Sequence, residues 1–98
     1  MIKKSYYKGN KSCRVWFYLP ADVEAEKVNL VGDFNDWNQQ NIPMKQKKDG
    51  TFYTAVTLEV GQSYQFRYLL DGERWENDWD ADQYVQNDQG TENSVVIV

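Results

Sequence analysis

The sequence predicts an all-β protein, an antiparallel sandwich of about seven to eight short strands. Three observations lead there. Apolar residues recur at a period of two along most of the 98 residues, the repeat of a strand with one buried face. Glycine-containing turn signals interrupt that alternation at short intervals. No stretch carries the 3.6-residue repeat of an amphipathic helix of useful length.

Taken in order, Ile2 to Lys8 reads as a first strand, turned by Gly9-Asn10. Cys13 to Leu19 alternates, with Val15, Phe17 and Leu19 on one face and Trp16 and Tyr18 on the other. Pro20 ends it, because proline has no N–H to give the ladder. Ala21 to Lys27 is a polar connection, and Val28 to Phe34 is the next strand. Asn38 to Lys48 is a polar loop in which Ile42, Pro43 and Met44 tuck an edge segment against the core. Asp49-Gly50 is a tight hairpin, since both residues tolerate positive φ. Phe52 to Val60 follows, facing Phe52, Val56, Leu58 and Val60 inward. After Gly61 the inward row is Tyr64, Phe66, Tyr68 and Leu70. Asp71-Gly72 makes a second tight hairpin into Glu73 to Trp75. A loop rich in Asp and Asn runs to Gly90, and Ser94 to Val98 is the last strand. The whole chain, 1–98, reads as a single domain.

Composition narrows the function. The hydrophobic share, 41%, suits a globular protein with one modest core, and 15% of residues are aromatic, including 4 Trp and 7 Tyr. A net charge of −4 and a pI of about 4.7 match neither a nucleic-acid backbone nor an anionic membrane. Cys13 is the only cysteine; it excludes an internal disulfide and fits a small buried hydrophobe. There is no histidine, so nucleophilic triads and most transition-metal sites are absent. The basic N-terminus is followed by Ser5, Tyr6 and Tyr7 where a signal peptide needs an apolar block, so the simplest location is cytoplasmic.

The residues that invite a functional reading lie at strand ends. Val28 to Trp37, VNLVGDFNDW, drives a β-branched strand into Gly32 and an acidic turn, leaving Trp37 at the rim of the fold. A ring there either folds over the sandwich as a lid or offers a flat, electron-rich face. The C–H face of a pyranose fits such a surface. Trp75, just past Asp71-Gly72, stands at a second strand end, and two rim indoles form a platform for consecutive sugars. Arg67 belongs to the outward row of its strand, either as a solvated charge or as a multiple donor to sugar hydroxyls. Asn93 offers a donor and an acceptor, or caps a turn.

The segments VNLVGDFNDW, FRYLLDGERW and GTENSVV, in that order, resemble three successive signatures of carbohydrate-binding module family 48. That family includes the isoamylase N-terminal domain and the glycogen-binding domain of the AMP-activated kinase β subunit. The resemblance covers roughly Val15 to Val98. It implies an early-set immunoglobulin-like sandwich that binds α-1,4-linked glucan without catalysis. Trp37 and Trp75 match the family's stacking tryptophans, and Thr91 and Asn93 match the polar contacts of the last signature. Arg67 stands where kinase-subunit modules carry a lysine. Gln89 departs from an apolar residue that packs into the curve of the glucan.

Two other chemistries fit the acidic residues poorly. Asp78, Asp80 and Asp82 have the spacing of the first half of a calcium loop, but Gln83 and Gln89 occupy the positions that need Gly and Glu, and no helices flank them. Glu73, Glu76 and Asp78 lack the cleft that an acid–base pair for glycoside hydrolysis requires. The expectation is therefore a glucan-binding module with no cofactor, no metal and no catalytic residue. The competing one is a protein-interaction or regulatory module that docks a glycogen-metabolism enzyme through the same aromatic rim.

Overall fold

The computed structural model describes all residues from Met1 to Val98. Nine strands form: β1 (Ile2–Tyr6), β2 (Ser12–Leu19), β3 (Val28–Gly32), β4 (Lys45–Gln46), β5 (Phe52–Glu59), β6 (Ser63–Leu70), β7 (Arg74–Glu76), β8 (Gln83–Gln86) and β9 (Glu92–Ile97). The only helical elements are single 3-10 turns at Ala21–Val23 and Asp33–Asn35. One sheet has the order β1-β2-β5-β4 and the other β3-β6-β9-β8, all pairs antiparallel. The two lie face to face as an immunoglobulin-like sandwich.

Strand β6 organises the second sheet. Along one edge it pairs with β3, from Gly32 opposite Phe66 to Val28 opposite Leu70. Its other edge is shared between two strands. β9 takes Ser63 to Phe66, and β7 takes Tyr68 to Leu70.

The alternation read from the sequence produces the core. Cys13, Val15, Phe17 and Leu19 of β2 are sealed from solvent, as are Leu30 of β3 and Phe66, Tyr68 and Leu70 of β6. Phe17 meets Phe66 edge-on at 5.0 Å between ring centroids, and Phe66 meets Tyr68 at 5.8 Å. Edge-to-face pairs of this kind add about 0.5–1.5 kcal/mol each beyond the area they bury. Both tight hairpins form where expected. Gly50 takes φ +94, and Asp71 and Gly72 take φ +52 and +71, a consecutive left-handed pair in a tight turn closed by the Glu73 N–H on the Leu70 carbonyl at 3.0 Å. Met44 is buried, and Pro43 bridges to Asn29, so the edge segment does tuck in.

The structure departs from the sequence reading in several places: β1 ends at Tyr6, β3 ends at Gly32 with Asp33–Asn35 in a 3-10 turn, and β9 begins at Glu92 and ends at Ile97. The Asp- and Asn-rich segment contains β8, whose residues QYVQ show no convincing alternation. Pairing with β9 supplies what propensity does not. β7 begins one residue later than expected, at Arg74. Val31, Leu69 and Val95 are buried although they face away from the core, and all three belong to the outer face of the second sheet. In register, Leu69 lies directly across from Trp75 and Val31 from Arg67, so large side chains roof this outer face.

Candidate functional site

The approach to Trp37 is a short, tightly bonded loop. Gly32 is extended, at φ −173, so its lack of a side chain serves closeness. A Cβ there would lie 2.5 Å from the Gln65 carbonyl oxygen and 2.8 Å from Phe66 Cβ. Asn35 then ties the loop together: its Oδ1 accepts from the Gly32 N–H at 3.0 Å, and its Nδ2 donates to Asn41 Oδ1 at 2.8 Å. Asp36 and Trp37 are both left-handed, at φ +54 and +57. That conformation is unusual for a bulky residue and costs on the order of 1–3 kcal/mol. Two bonds offset it. The Trp37 N–H donates to the Gly32 carbonyl at 2.9 Å, and its indole Nε1–H donates to Asp33 Oδ1 at 2.9 Å. Trp37 is left half-buried rather than folded away as a lid.

Trp75 is placed by the second hairpin. Asp71 Oδ1 accepts from the Glu26 and Lys27 N–H groups, at 2.9 Å each, and these donors hold its carboxyl below the usual aspartate range. Arg74 anchors the next residue position by donating to the Val23 and Glu24 carbonyls, both at 3.0 Å. Trp75 remains 37% exposed. The Arg67 guanidinium sits 5.6 Å from its ring centroid, within cation–π range. Arg67 Nε is buried without a partner.

These elements meet on the outer face of the second sheet around an open depression of about 590 Å³. Trp37, Arg67, Trp75 and Asn93 all line it, and Gln89 stands at its wall. Of its eleven lining residues only the two tryptophans are apolar. That composition suits a ligand with flat apolar faces and a hydroxylated rim better than a hydrocarbon or a hydrophobic helix. Thr91 is not part of the lining; its Oγ1 accepts from Asn87 Nδ2 at 2.7 Å behind the wall.

Six lining residues carry no expectation from the sequence: Asp33, Gln39, Gln65, Gln86, Asn87 and Asp88. Asp33 orients Trp37. Gln65 and Asn87 extend the polar wall through Asn93: Asn87 Nδ2 donates to Asn93 Oδ1 at 3.1 Å, and Asn93 Nδ2 donates to Gln65 Oε1 at 3.0 Å. The outward phase of Gln65, two residues before Arg67, was the available sequence signal.

The other two tryptophans lie elsewhere. Trp16 sits on the outer face of the first sheet beneath the Arg14 guanidinium, 4.9 Å from its ring centroid. Trp79 borders a separate, more apolar concavity with Leu19, Pro20 and Tyr18.

The acidic segment is bonded inward. Asp78 is buried, accepting from the Tyr68 hydroxyl at 2.6 Å and from the Asp80 N–H at 2.8 Å. Asp82 accepts from Lys4 Nζ at 2.7 Å. No three His, Cys, Asp or Glu side chains converge on a common point.

The molecule is thus a face-to-face β-sandwich with two indoles in an open polar groove. The chain belongs to carbohydrate-binding module family 48, the isoamylase N-terminal domain family, whose sequence pattern matches residues 6–85. Similar curated proteins are 1,4-alpha-glucan branching enzymes. The GlgB of Aquifex aeolicus is 34% identical over 56 residues, 54% of this chain and 9% of that protein. The Butyrivibrio fibrisolvens GlgB is 28% identical over 78 residues, 80% of this chain and 12% of that protein. The Lactobacillus acidophilus GlgB is 43% identical over 54 residues, 54% of this chain and 8% of that protein. The match thus spans about a tenth of each enzyme's length.

Proposed function

We propose that the depression binds α-1,4-linked glucan, such as glycogen, starch or maltooligosaccharides, and performs no catalysis. Trp37 and Trp75 stack on glucose rings, while Arg67 and Asn93 hold hydroxyls. Thr91 serves by bracing the Asn87 side of the wall. The observation that carries this reading is that two indoles, 38 positions apart in the sequence, line one depression whose other residues are all polar. The names of the similar enzymes support the choice of glucan.

Two stacks at about 1–2 kcal/mol each, a few exposed hydrogen bonds and an ordering cost give a Kd between about 10 μM and a few mM. A polymer with many repeats raises the apparent affinity through avidity. Polar Gln89 at the wall provides no apolar packing against the ligand, so preference for a curved or branched glucan is weak.

Titration with maltoheptaose, followed by indole fluorescence, tests the proposal. Trp37→Ala and Trp75→Ala should each weaken binding about 5- to 30-fold and together abolish it. Binding that survives both substitutions removes the site.

A second reading, docking of a glycogen-metabolism enzyme, is favoured by one feature. Trp79 is 61% exposed beside Leu19 and Pro20, away from the glucan groove. Such an apolar surface suits a protein partner.

A further inference from the structure

Gln65 ends a chain of side-chain amides whose polarity is fixed at the far end. The backbone N–H groups of Gln89 and Thr91 point at Asn87 from 3.0 and 3.2 Å. They are donors only, so the Asn87 atom facing them must be its oxygen. Its amino group then faces Asn93, whose oxygen accepts at 3.1 Å. The Asn93 amino group in turn donates to Gln65 Oε1 at 3.0 Å.

Reversing any one amide would set amino against amino or oxygen against oxygen. Asn93 is only 7% exposed, so water cannot repair the mismatch there. The Gln65 oxygen is thus committed. Its Nε2 amino group has no partner in the protein and is not sealed from solvent, and the residue lines the depression that holds Trp37 and Trp75.

We propose that Gln65 is a further ligand contact, acting as a donor through Nε2 to a ring, glycosidic or hydroxyl oxygen of the bound glucan, with Asn87 as a positioning residue and Asn93, beside its own hydroxyl contact, holding Gln65 in that role. The inference rests on the glucan reading and adds to it a sense of direction. A free glutamine presents donor or acceptor with equal ease, whereas this one presents only a donor. Arg67, on the same strand and the same face, is also donor-only. This wall of the groove therefore addresses ligand oxygens as acceptors. The ether oxygens of a glucan can be nothing else, and a cationic amino sugar finds no acceptor from either residue. Each link in the amide chain polarises the next, which strengthens the terminal donor.

The test uses the full chain and maltoheptaose. Gln65→Glu keeps the shape and the acceptor for Asn93 but removes the amino group. Gln65→Met removes it without adding charge. Both should weaken binding by up to about tenfold, the net value of one hydrogen bond, with thermal midpoints close to that of the wild type. Asn93→Asp keeps its acceptor for Asn87 but deletes the proton that pins Gln65. The new carboxylate draws the Gln65 amino group to itself, so it should shift the Gln65 side-chain amide resonances without ligand and weaken binding about as much as the Gln65 substitutions. In the wild type those resonances should move on saturation with maltoheptaose. Gln65 variants that bind within twofold of the wild type, while Trp37→Ala still weakens binding about 5- to 30-fold, overturn the Gln65 contact and leave the glucan reading intact. A wild-type chain that binds no maltoheptaose overturns the glucan reading and this contact with it.

Discussion

Trp37 donates its indole N–H to Asp33 Oδ1 at 2.9 Å, and the other oxygen of the same carboxylate accepts from the Gln65 backbone N–H at 2.7 Å. One side chain therefore orients the ring and fastens its loop to strand β6. With the indole N–H occupied, Trp37 presents a face and an edge but no free donor.

Removal of that carboxylate is expected to loosen the ring before it loosens the fold. Asp33→Ala frees a rotamer-rich side chain that must be ordered again on binding, at about 0.5–1.5 kcal/mol, so glucan affinity should fall roughly 3- to 10-fold. Stability should fall by about 1–2 kcal/mol for the two lost bonds. Titration calorimetry beside urea denaturation separates the effects, and unchanged affinity would show that the clamp is irrelevant to binding.

Gly32→Ala should be among the most damaging small substitutions. Its Cβ would meet the Gln65 carbonyl at 2.5 Å, Phe66 Cβ at 2.8 Å and Phe34 Cζ at 2.9 Å. The backbone carbonyl cannot swing aside, so β3 must separate from β6, at a cost of roughly 1–3 kcal/mol or more. A denaturation midpoint matching the wild type would refute the close-approach role. The cause is crowding rather than φ, so Gly32→Ser should behave as badly.

Alkaline stability should depend on Tyr68. Burial, together with the Asp78 carboxylate that its hydroxyl contacts at 2.6 Å, pushes the phenol well above its ordinary value of 10.0. Above that value the unfolded chain releases the proton while the folded chain keeps it. Stability is thus intact below about pH 10 and declines as pH rises toward the folded value. Tyr68→Phe should flatten this decline, while costing about 1–3 kcal/mol at neutral pH because Asp78 loses a buried donor. Guanidinium denaturation at pH values from about 8 to 11 reads both effects; parallel losses in the two proteins would exclude Tyr68 as the titrating group.

Acid stability should depend on Asp71, with the opposite sign. The Lys27 and Glu26 N–H groups lower its folded pKa below 3.8. Its contribution is therefore present above the unfolded value and is lost as pH falls through the lower folded one. Asp71→Asn retains an acceptor and tolerates the left-handed φ of +52, so it should keep the hairpin while reducing the acid-side slope. Thermal midpoints measured from about pH 2 to about pH 6 decide this.

What could be read from the sequence was local. The alternation of β2 named its buried face residue by residue. Asp49-Gly50 and Asp71-Gly72 announced hairpins because few other residue types accept their backbone angles. Placing Trp37 and Trp75 at strand ends followed from those turns. What escaped depends on distant partners. β8 is a strand because β9 lies beside it, and QYVQ carries no such instruction. Val31, Leu69 and Val95 look like ordinary outward residues until the roof over them is seen. The amide chain through Asn87, Asn93 and Gln65 joins β6 to the β8–β9 turn across 22 sequence positions or more, and no spacing rule predicts it.

The sharing of β6 among three strands also governs how the molecule matures. The β1–β2 and β8–β9 hairpins close over a few residues and can form early. Joining β3 to β6 requires the chain to return across more than thirty residues, from Gly32 to Phe66, and β9 returns from nearly as far on the other side. Such long closures slow all-β proteins to roughly milliseconds or seconds. Trp37 on the β3 side and Asn93 on β9 hang on those late contacts, whereas Arg67 and Trp75 share the local β6–β7 hairpin. A chain whose β9 has not yet docked therefore has a partial core and lacks the Asn93 wall of the groove.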